Sequence, residues 1–242
     1  MRLTRVFVEE PLATGSTLSI GGSAANHIMR VLRAREGDEL TLFDGRGGEY
    51  GARVAGFRKD SVQVEVKEHR DVERESALDL TLAQGISRGE RMDWVMQKAT
   101  ELGVTRIIPV VTERTMVKLD ERQAERKIEH WRAIVISACE QCGRNRVPEV
   151  ALPMPYIEAV RSIDAEVTRV LLSPSGTLRA RDLGHSTRIA MLIGPEGGLS
   201  DNEQEAALAA GFQPLRMGPR ILRTETAAIA ALAALQHNFG DI

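Results

Sequence analysis

The sequence predicts an α/β protein in two parts: a small β-rich domain over residues 1–72 and an α/β sheet domain over residues 73–242. Three observations carry this. Before residue 72 the apolar pattern is short and alternating. From Leu78 onward, strand-like apolar runs alternate with helical ones. Three of the later runs also end alike, in a small residue, a proline and a loop.

In the first part, "RVFV", "ELTLFD", "EYGARVAGF" and "SVQVEVKEH" are joined by Gly-rich or charged turns, the spacing of a small β-barrel or sandwich. Gly45, Gly47 and Gly48 fall between two alternating strands and mark a hairpin turn rather than a phosphate loop. One helical segment, "SAANHIMRVLRA", interrupts the strands. Ile28, Val31 and Leu32 form its apolar stripe, leaving His27, Arg30 and Arg33 on a broad opposite face. That face is either solvated surface or, with Arg2, Arg5 and Arg35 close in sequence, an arginine-rich face for docking RNA. Both readings stay open. The polar run "HRDVERES" is the linker.

The second part opens with the strand "LDLTLAQGI" and the helix "RMDWVMQKATELG". In that helix Met92, Val95, Met96, Ala99 and Leu102 recur at core spacing, Lys98 can pair with Glu101, and Gly103 ends the helix. The strand "RIIPVVT" and a long helix ending in "HWRAIVISACEQCGR" follow. Its Cys139 and Cys142 form a lone C-x-x-C; no second pair completes a tetrahedral site, so they read as reduced packing residues and no metal is implied. Arg88, Arg91, Arg114 and Arg144 fall in loops or at helix ends, where substrate contacts concentrate. With Lys98, they join the candidate RNA-contacting set.

Three strand–loop units close the chain. "TRVLLSPSGT" runs a strand over 170–172 into Ser173 and Pro174. "IAMLIGPEGGLSDNEQEA" runs a buried strand into Gly-Pro-Glu-Gly-Gly, then into a helix opened by the capping box of Ser200 and Glu203 and ended by Gly211. "FQPLRMGPRILRTETAA" repeats the pattern at Gly218 and Pro219. Loops at the carboxyl ends of strands are where open α/β sheets bind ligands. Glycine lets a ligand approach the main chain, and proline fixes φ. Phosphate-bearing nucleotides are disfavoured: neither G-x-x-x-x-G-K-[ST] nor a strand-to-helix G-x-G-x-x-G occurs, and Glu196 would repel a pyrophosphate. A neutral or cationic ligand fits better.

The formal charge of −2 excludes a polybasic arm. Arginine outnumbers lysine 27 to 5, which suits RNA contacts but equally marks a GC-rich genome. No apolar run is long enough to span a bilayer, and "MRLTRVFVEEPL" lacks a signal-peptide core, so a cytoplasmic protein is expected.

The pair "LIGPEGGLSDNE" and "MGPRILRTETAA" resembles the SPOUT methyltransferases, most closely the bacterial family that methylates N3 of a uridine in 16S ribosomal RNA. The similarity extends to "HIMRVLR", "WVMQKATELG", "TERT" and "EQCGR", and so covers nearly the whole chain; Thr112 and Thr115 stand where that family has serines. The resemblance implies a PUA-like N-terminal barrel that docks RNA and a C-terminal SPOUT-type α/β domain with a trefoil knot. It also implies S-adenosylmethionine bent against three loops: Leu172 and Ser173; Gly194, Pro195, Glu196, Gly197 and Gly198; and Met217, Gly218, Ile221 and Leu222. A sulfonium ligand makes sense of Glu196. Arg223, Thr224 and Glu225 then become candidates for anion stabiliser, positioning group and base, or else simply cap the last helix. The implied substrate is 16S ribosomal RNA, within a small-subunit particle. Another RNA base, transfer RNA, or a non-catalytic RNA-binding role remain the alternatives. A homodimer is implied as well. The final "TETAAIAALAALQHNF" is apolar around much of its circumference, which fits a helix covered by a second copy or one buried wholly within its own subunit.

Overall fold

The structure is a computed structural model and describes residues 4–116 and 120–242. Arg2, grouped above with the arginine-rich face, lies outside the described residues. The chain divides into two compact units: the chain up to Glu75 together with Ile136–Val147, and Ser76–Val135 together with Pro148–Ile242. The first division thus falls three residues beyond the sequence-drawn boundary at 72. A later segment, 136–147, returns to the first unit.

The first unit holds β1 (Arg5–Phe7), β2 (Thr17–Ile20), β3 (Glu39–Phe43), β4 (Glu49–Phe57) and β5 (Val62–Arg70), in the sheet order β1-β3-β4-β5-β2. β1 runs parallel to β3, and the other neighbours are antiparallel. The inward residues of the alternating strands, among them Leu40, Leu42, Val54, Val62, Val64 and Val66, make the core. Gly45, Gly47 and Gly48 all take positive φ in the β3–β4 turn, as a hairpin there requires.

Helix α1 (Gly22–Asn26) continues as a π-helical stretch over His27–Leu32. This changes the expected stripe. Ile28 and Leu32 are buried, but Val31 is 59% exposed and Met29 packs against the core instead. The wider i→i+5 turn rotates residue 31 out of the 3.6-residue register that the sequence pattern assumed. Arg33 ends the stretch in the left-handed region at φ 51°.

The second unit contains β6 (Asp79–Gly85), α2 (Glu90–Glu101), β7 (Arg106–Val111), the first part of α3 (Glu121–Cys142), β8 (Glu149–Val150), β9 (Met154–Pro155), α4 (Tyr156–Ser162), β10 (Thr168–Leu172), β11 (Arg188–Ile193), α5 (Asp201–Ala209), β12 (Gln213–Leu215) and α6 (Thr224–Phe239). Its sheet is parallel throughout, in the order β12-β10-β11-β6-β7-β8, with β9 also on β7. After β6 the chain builds outward through β7, β8 and β9, then crosses back to lay β10, β11 and β12 on the other side. This reversal beside β6 and β11 is the switch point where the carboxyl ends of parallel strands open a crevice.

Local features foretold by the sequence are present here. Ser200 and Glu203 exchange both capping-box hydrogen bonds, Lys98 pairs with Glu101 at 2.8 Å, and Gly103 ends α2 at φ 80°. In α6, Ala227, Ala228, Ala231, Leu232 and Leu235 are buried, while Ile229, Ala230, Ala233 and Ala234 are only half-buried. Among the described residues, no helix is long and apolar enough to cross a membrane and no metal-ligating cluster occurs.

Candidate active site

The carboxyl ends of β10 and β11 and the segments following β12 enclose a cavity of about 600 Å³. Loop 1 contributes Leu172, Ser173 and Pro174; loop 2 contributes Gly194, Pro195, Glu196, Gly198 and Leu199; loop 3 contributes Met217, Gly218, Arg220, Ile221 and Leu222. Arg223, Thr224 and Glu225, at the start of α6, line it too, as does Arg91 from α2. The three loops that share a sequence pattern therefore converge on one site.

Backbone geometry explains the glycines. Gly198 (φ 69°) closes a turn in which its N–H donates to the Pro195 carbonyl at 2.9 Å, and Gly218 takes φ 77°. Gly197 behaves differently from its expected role. It does not line the cavity, and a Cβ there would lie 3.1 Å from the Arg114 Cβ, because the residue faces the 112–116 loop. Arg114 braces the same loop by donating to the Gly197 carbonyl at 3.0 Å.

A buried polar link ties the site together. Gln84, at the end of β6, donates through Nε2 to Thr224 Oγ1 at 2.9 Å, and the Thr224 hydroxyl donates to the Gly194 carbonyl at 2.7 Å. One side-chain relay thus joins a central strand, loop 2 and the start of α6. Thr224 is doubly engaged and does not cap its helix with that hydroxyl; the cap residue, Arg223, makes no side-chain capping bond either. Gln84 and its neighbour Gly85 were not singled out from the sequence. The available signal was a polar residue followed by glycine inside the otherwise apolar run "LTLAQGI".

The electrostatics are acidic within and basic at the edge. Glu196 Oε1 accepts from the Arg88 N–H at 2.9 Å and from the Arg91 guanidinium at 2.7 Å. Burial alone would raise its pKa, but these donors outweigh burial and hold the carboxyl below the ordinary range. Arg91 Nε also stands 3.9 Å from Glu225 Oε1, so one guanidinium bridges both carboxylates. The other Glu225 oxygen, Oε2, is buried with no hydrogen-bond partner among the described residues. An unmatched buried acceptor in a cavity wall suits a ligand that brings a donor or a positive charge.

The remaining candidates separate cleanly. Arg30, Arg33, Arg88 and Arg114 are exposed, and His27 is half-buried with Nδ1 3.7 Å from Glu140 Oε2. Two candidates for RNA contact are corrected. Arg5 is 5% exposed; it pairs with Glu49, donates to Asn145 at 2.7 Å and stacks over Phe43. Arg144 is 4% exposed and pairs with Glu75. Both guanidinium groups hold the interior of the first unit together and present nothing to RNA. Lys98 is half-buried against Glu101. Cys139 and Cys142 are free thiols, Cys139 fully buried.

The cavity suits S-adenosylmethionine. Its volume falls in the roughly 300–1,000 Å³ range of small-molecule sites. Its walls mix apolar side chains such as Leu172, Ile193 and Leu199 with accessible main chain, and the charges facing inward include two carboxylates that suit a sulfonium or ammonium.

Comparison with known proteins agrees. Residues 74–236 match the family model described as an RNA methyltransferase domain, and residues 20–67 match an RNA methyltransferase PUA domain. The ribosomal RNA small subunit methyltransferase E of Buchnera aphidicola subsp. Schizaphis graminum is 34% identical over 100% of this chain and 98% of its own length. The enzyme of the same name from Bacillus subtilis is 32% identical over 97% of this chain and 96% of its own. A Legionella pneumophila protein solved in complex with bound cofactor SAM aligns over 100% of both chains with a TM-score of 0.96 and 42% identity. The small subunit methyltransferase E of Neisseria gonorrhoeae, bound to S-adenosyl methionine, also aligns over 100% of both, with a TM-score of 0.93 and 40% identity. The chain, a SPOUT-type α/β domain with a PUA-like N-terminal domain, belongs to the RNA methyltransferase family and groups with its small-subunit methyltransferase E members.

Proposed function

We propose that this protein is an S-adenosylmethionine-dependent methyltransferase that modifies N3 of a uridine in 16S ribosomal RNA, in the cytoplasm and as a homodimer. The observation that carries the reading is the cavity that three main-chain-rich loops share, with an unmatched carboxylate oxygen of Glu225 in its wall. Family membership and the SAM-bound relatives support the cofactor; the sequence resemblance supports the uridine.

When bound, S-adenosylmethionine supplies an electrophilic methyl group for in-line displacement. The protein's share of the work is alignment and proton removal. Loops 1 to 3 would hold the cofactor, and the Gln84–Thr224–Gly194 relay holds loop 2 against the start of α6. The imide N3–H of uracil is too weak an acid to ionise unaided at neutral pH. Glu225 Oε2 accepts that proton while Arg91, bridging Glu225 and Glu196, fixes the carboxylate in place. The exposed guanidinium of Arg223, at the cavity lip, stabilises negative charge developing on the imide oxygens. With the cofactor bound, methyl transfer to N3 would leave methylated uridine and S-adenosylhomocysteine. In the first unit, the exposed Arg30 and Arg33 offer phosphate contacts for docking.

The test is calorimetry with S-adenosylmethionine alone, followed by methylation of free 16S RNA and of small subunits with mapping of the modified nucleotide. Absence of cofactor binding would leave only the RNA-binding role. A methyl group mapped to transfer RNA, or to another base, would replace the uridine assignment.

A further inference from the structure

Two arginines, Arg179 and Arg216, lie on backbone segments that meet at the edge of the second unit's sheet. Leu178 forms a parallel bridge with Leu215, the last residue of β12, and the Arg216 N–H donates to the Leu178 carbonyl at 2.8 Å. Arg179 follows Leu178 directly in the chain, so the two arginines stand on adjoining backbone segments. Two guanidinium groups brought into one neighbourhood favour a compensating anion. The protein supplies little. Asp182 accepts from the main-chain N–H of Arg179 at 2.9 Å, and its other oxygen lies 3.8 Å from Arg181. Among the described residues, neither Arg179 nor Arg216 has a side-chain ion pair, in contrast to Arg5, Arg91, Arg144 and Arg188.

Arg216 is nonetheless ordered, because its Nε donates to the Gly218 carbonyl at 3.0 Å and so fixes the guanidinium against loop 3. At the far end of that loop, Arg220 and Arg223 line the cavity, exposed and likewise without ion pairs among the described residues. Exposed guanidinium groups without ion pairs among the described residues thus occur both at the sheet edge before loop 3 and at the cavity end of that loop.

We propose that Arg179, Arg216 and Arg220 form a rim that holds the phosphates flanking the nucleotide whose base enters the cavity. The partner is single-stranded RNA, since only an unstacked base can reach such a cavity. Arginine forks suit phosphate oxygens. The proposal rests on the methyltransferase reading above and adds an RNA contact surface on the catalytic unit, separate from the arginines of the N-terminal unit.

The experiment compares wild type with Arg179→Gln/Arg216→Gln for binding of a short fluorescent single-stranded RNA across a salt series, and for S-adenosylmethionine by calorimetry. Arg126→Gln/Arg161→Gln, exposed arginines on α3 and α4, removes equal charge elsewhere. Loss of two phosphate contacts should make the log K against log salt slope shallower by about 1.4 and weaken RNA binding about tenfold at moderate salt. A thermal melt matching that of wild type reports that the variant is folded, and calorimetry on the wild type reports the cofactor site. A rim variant with the wild-type slope overturns the proposal, as does a control that loses as much. A wild type that binds no S-adenosylmethionine defeats instead the reading beneath it.

Discussion

Replacing Gly85 by alanine should disable the cofactor site while leaving the protein folded. Gly85 ends β6, which is paired on both sides, with β11 and with β7. A Cβ there would lie 2.4 Å from the Pro195 nitrogen, 2.6 Å from its Cδ and 2.8 Å from the Gly194 carbonyl carbon, all in loop 2. Ordinary contact begins at 3.4 Å, so loop 2 must retreat by about 1 Å (3.4 − 2.4). The strand cannot yield, because the Ile86 N–H is also committed to the Val110 carbonyl at 3.0 Å. Overpacking of this kind costs about 1–3 kcal/mol. Falling on a loop that shapes the site, that cost corresponds to S-adenosylmethionine binding weakened roughly 5- to 150-fold. Calorimetry with the cofactor, beside a thermal melt, measures both quantities. Gly184→Ala, where an added Cβ meets nothing within 4 Å, is the control and should match wild type. A folded Gly85→Ala variant that binds the cofactor within twofold of wild type would refute the steric reasoning.

Other expectations follow from the same geometry. Thr224→Val removes the hydroxyl between Gln84 and Gly194 and takes one acceptor from a buried amide, so it should cost about 1–3 kcal/mol in urea unfolding and weaken cofactor binding. Thr224→Ser should restore both. Burial pushes the Cys139 thiol up to about 12, so near pH 8 it stays protonated; a thiol reagent on native protein should modify at most Cys142, and labelling of both by mass spectrometry would contradict the packing. The half-buried Ile229, Ala230, Ala233 and Ala234 of α6 are proposed to be covered by a second copy. Wild type should then show twice the chain mass in light scattering, and Ala230→Glu or Ala234→Glu should shift it toward the monomer with loss of methyl transfer. A fully active monomeric wild type rules the dimer out.

The sequence by itself determined whatever depends on neighbours within a few residues. The capping box of Ser200 and Glu203, the methionine stripe of α2, the Lys98–Glu101 pair, the strand running into Gly194 and the left-handed Gly103 are such features; spacing and backbone sterics specify them without knowledge of the fold. The three loops were legible for the same reason, since each carries its own glycine and proline. Their convergence was not visible from spacing alone and came only through the family resemblance, because it depends on a strand order that reverses beside β6. Side-chain fates set by distant partners were equally hidden. Arg5 and Arg144 looked like surface charges until Glu49, 44 residues away, and Glu75, 69 residues away, took them into the interior. Gln84 became a site residue only by reaching Thr224, 140 residues on. Val31 turned outward when a local periodicity gave way to a wider turn, and Gly197 faced Arg114 rather than the cavity. Local periodicity encodes which residues share a face, but a buried charge or hydrogen bond is decided by whichever partner the tertiary fold brings within about 3 Å.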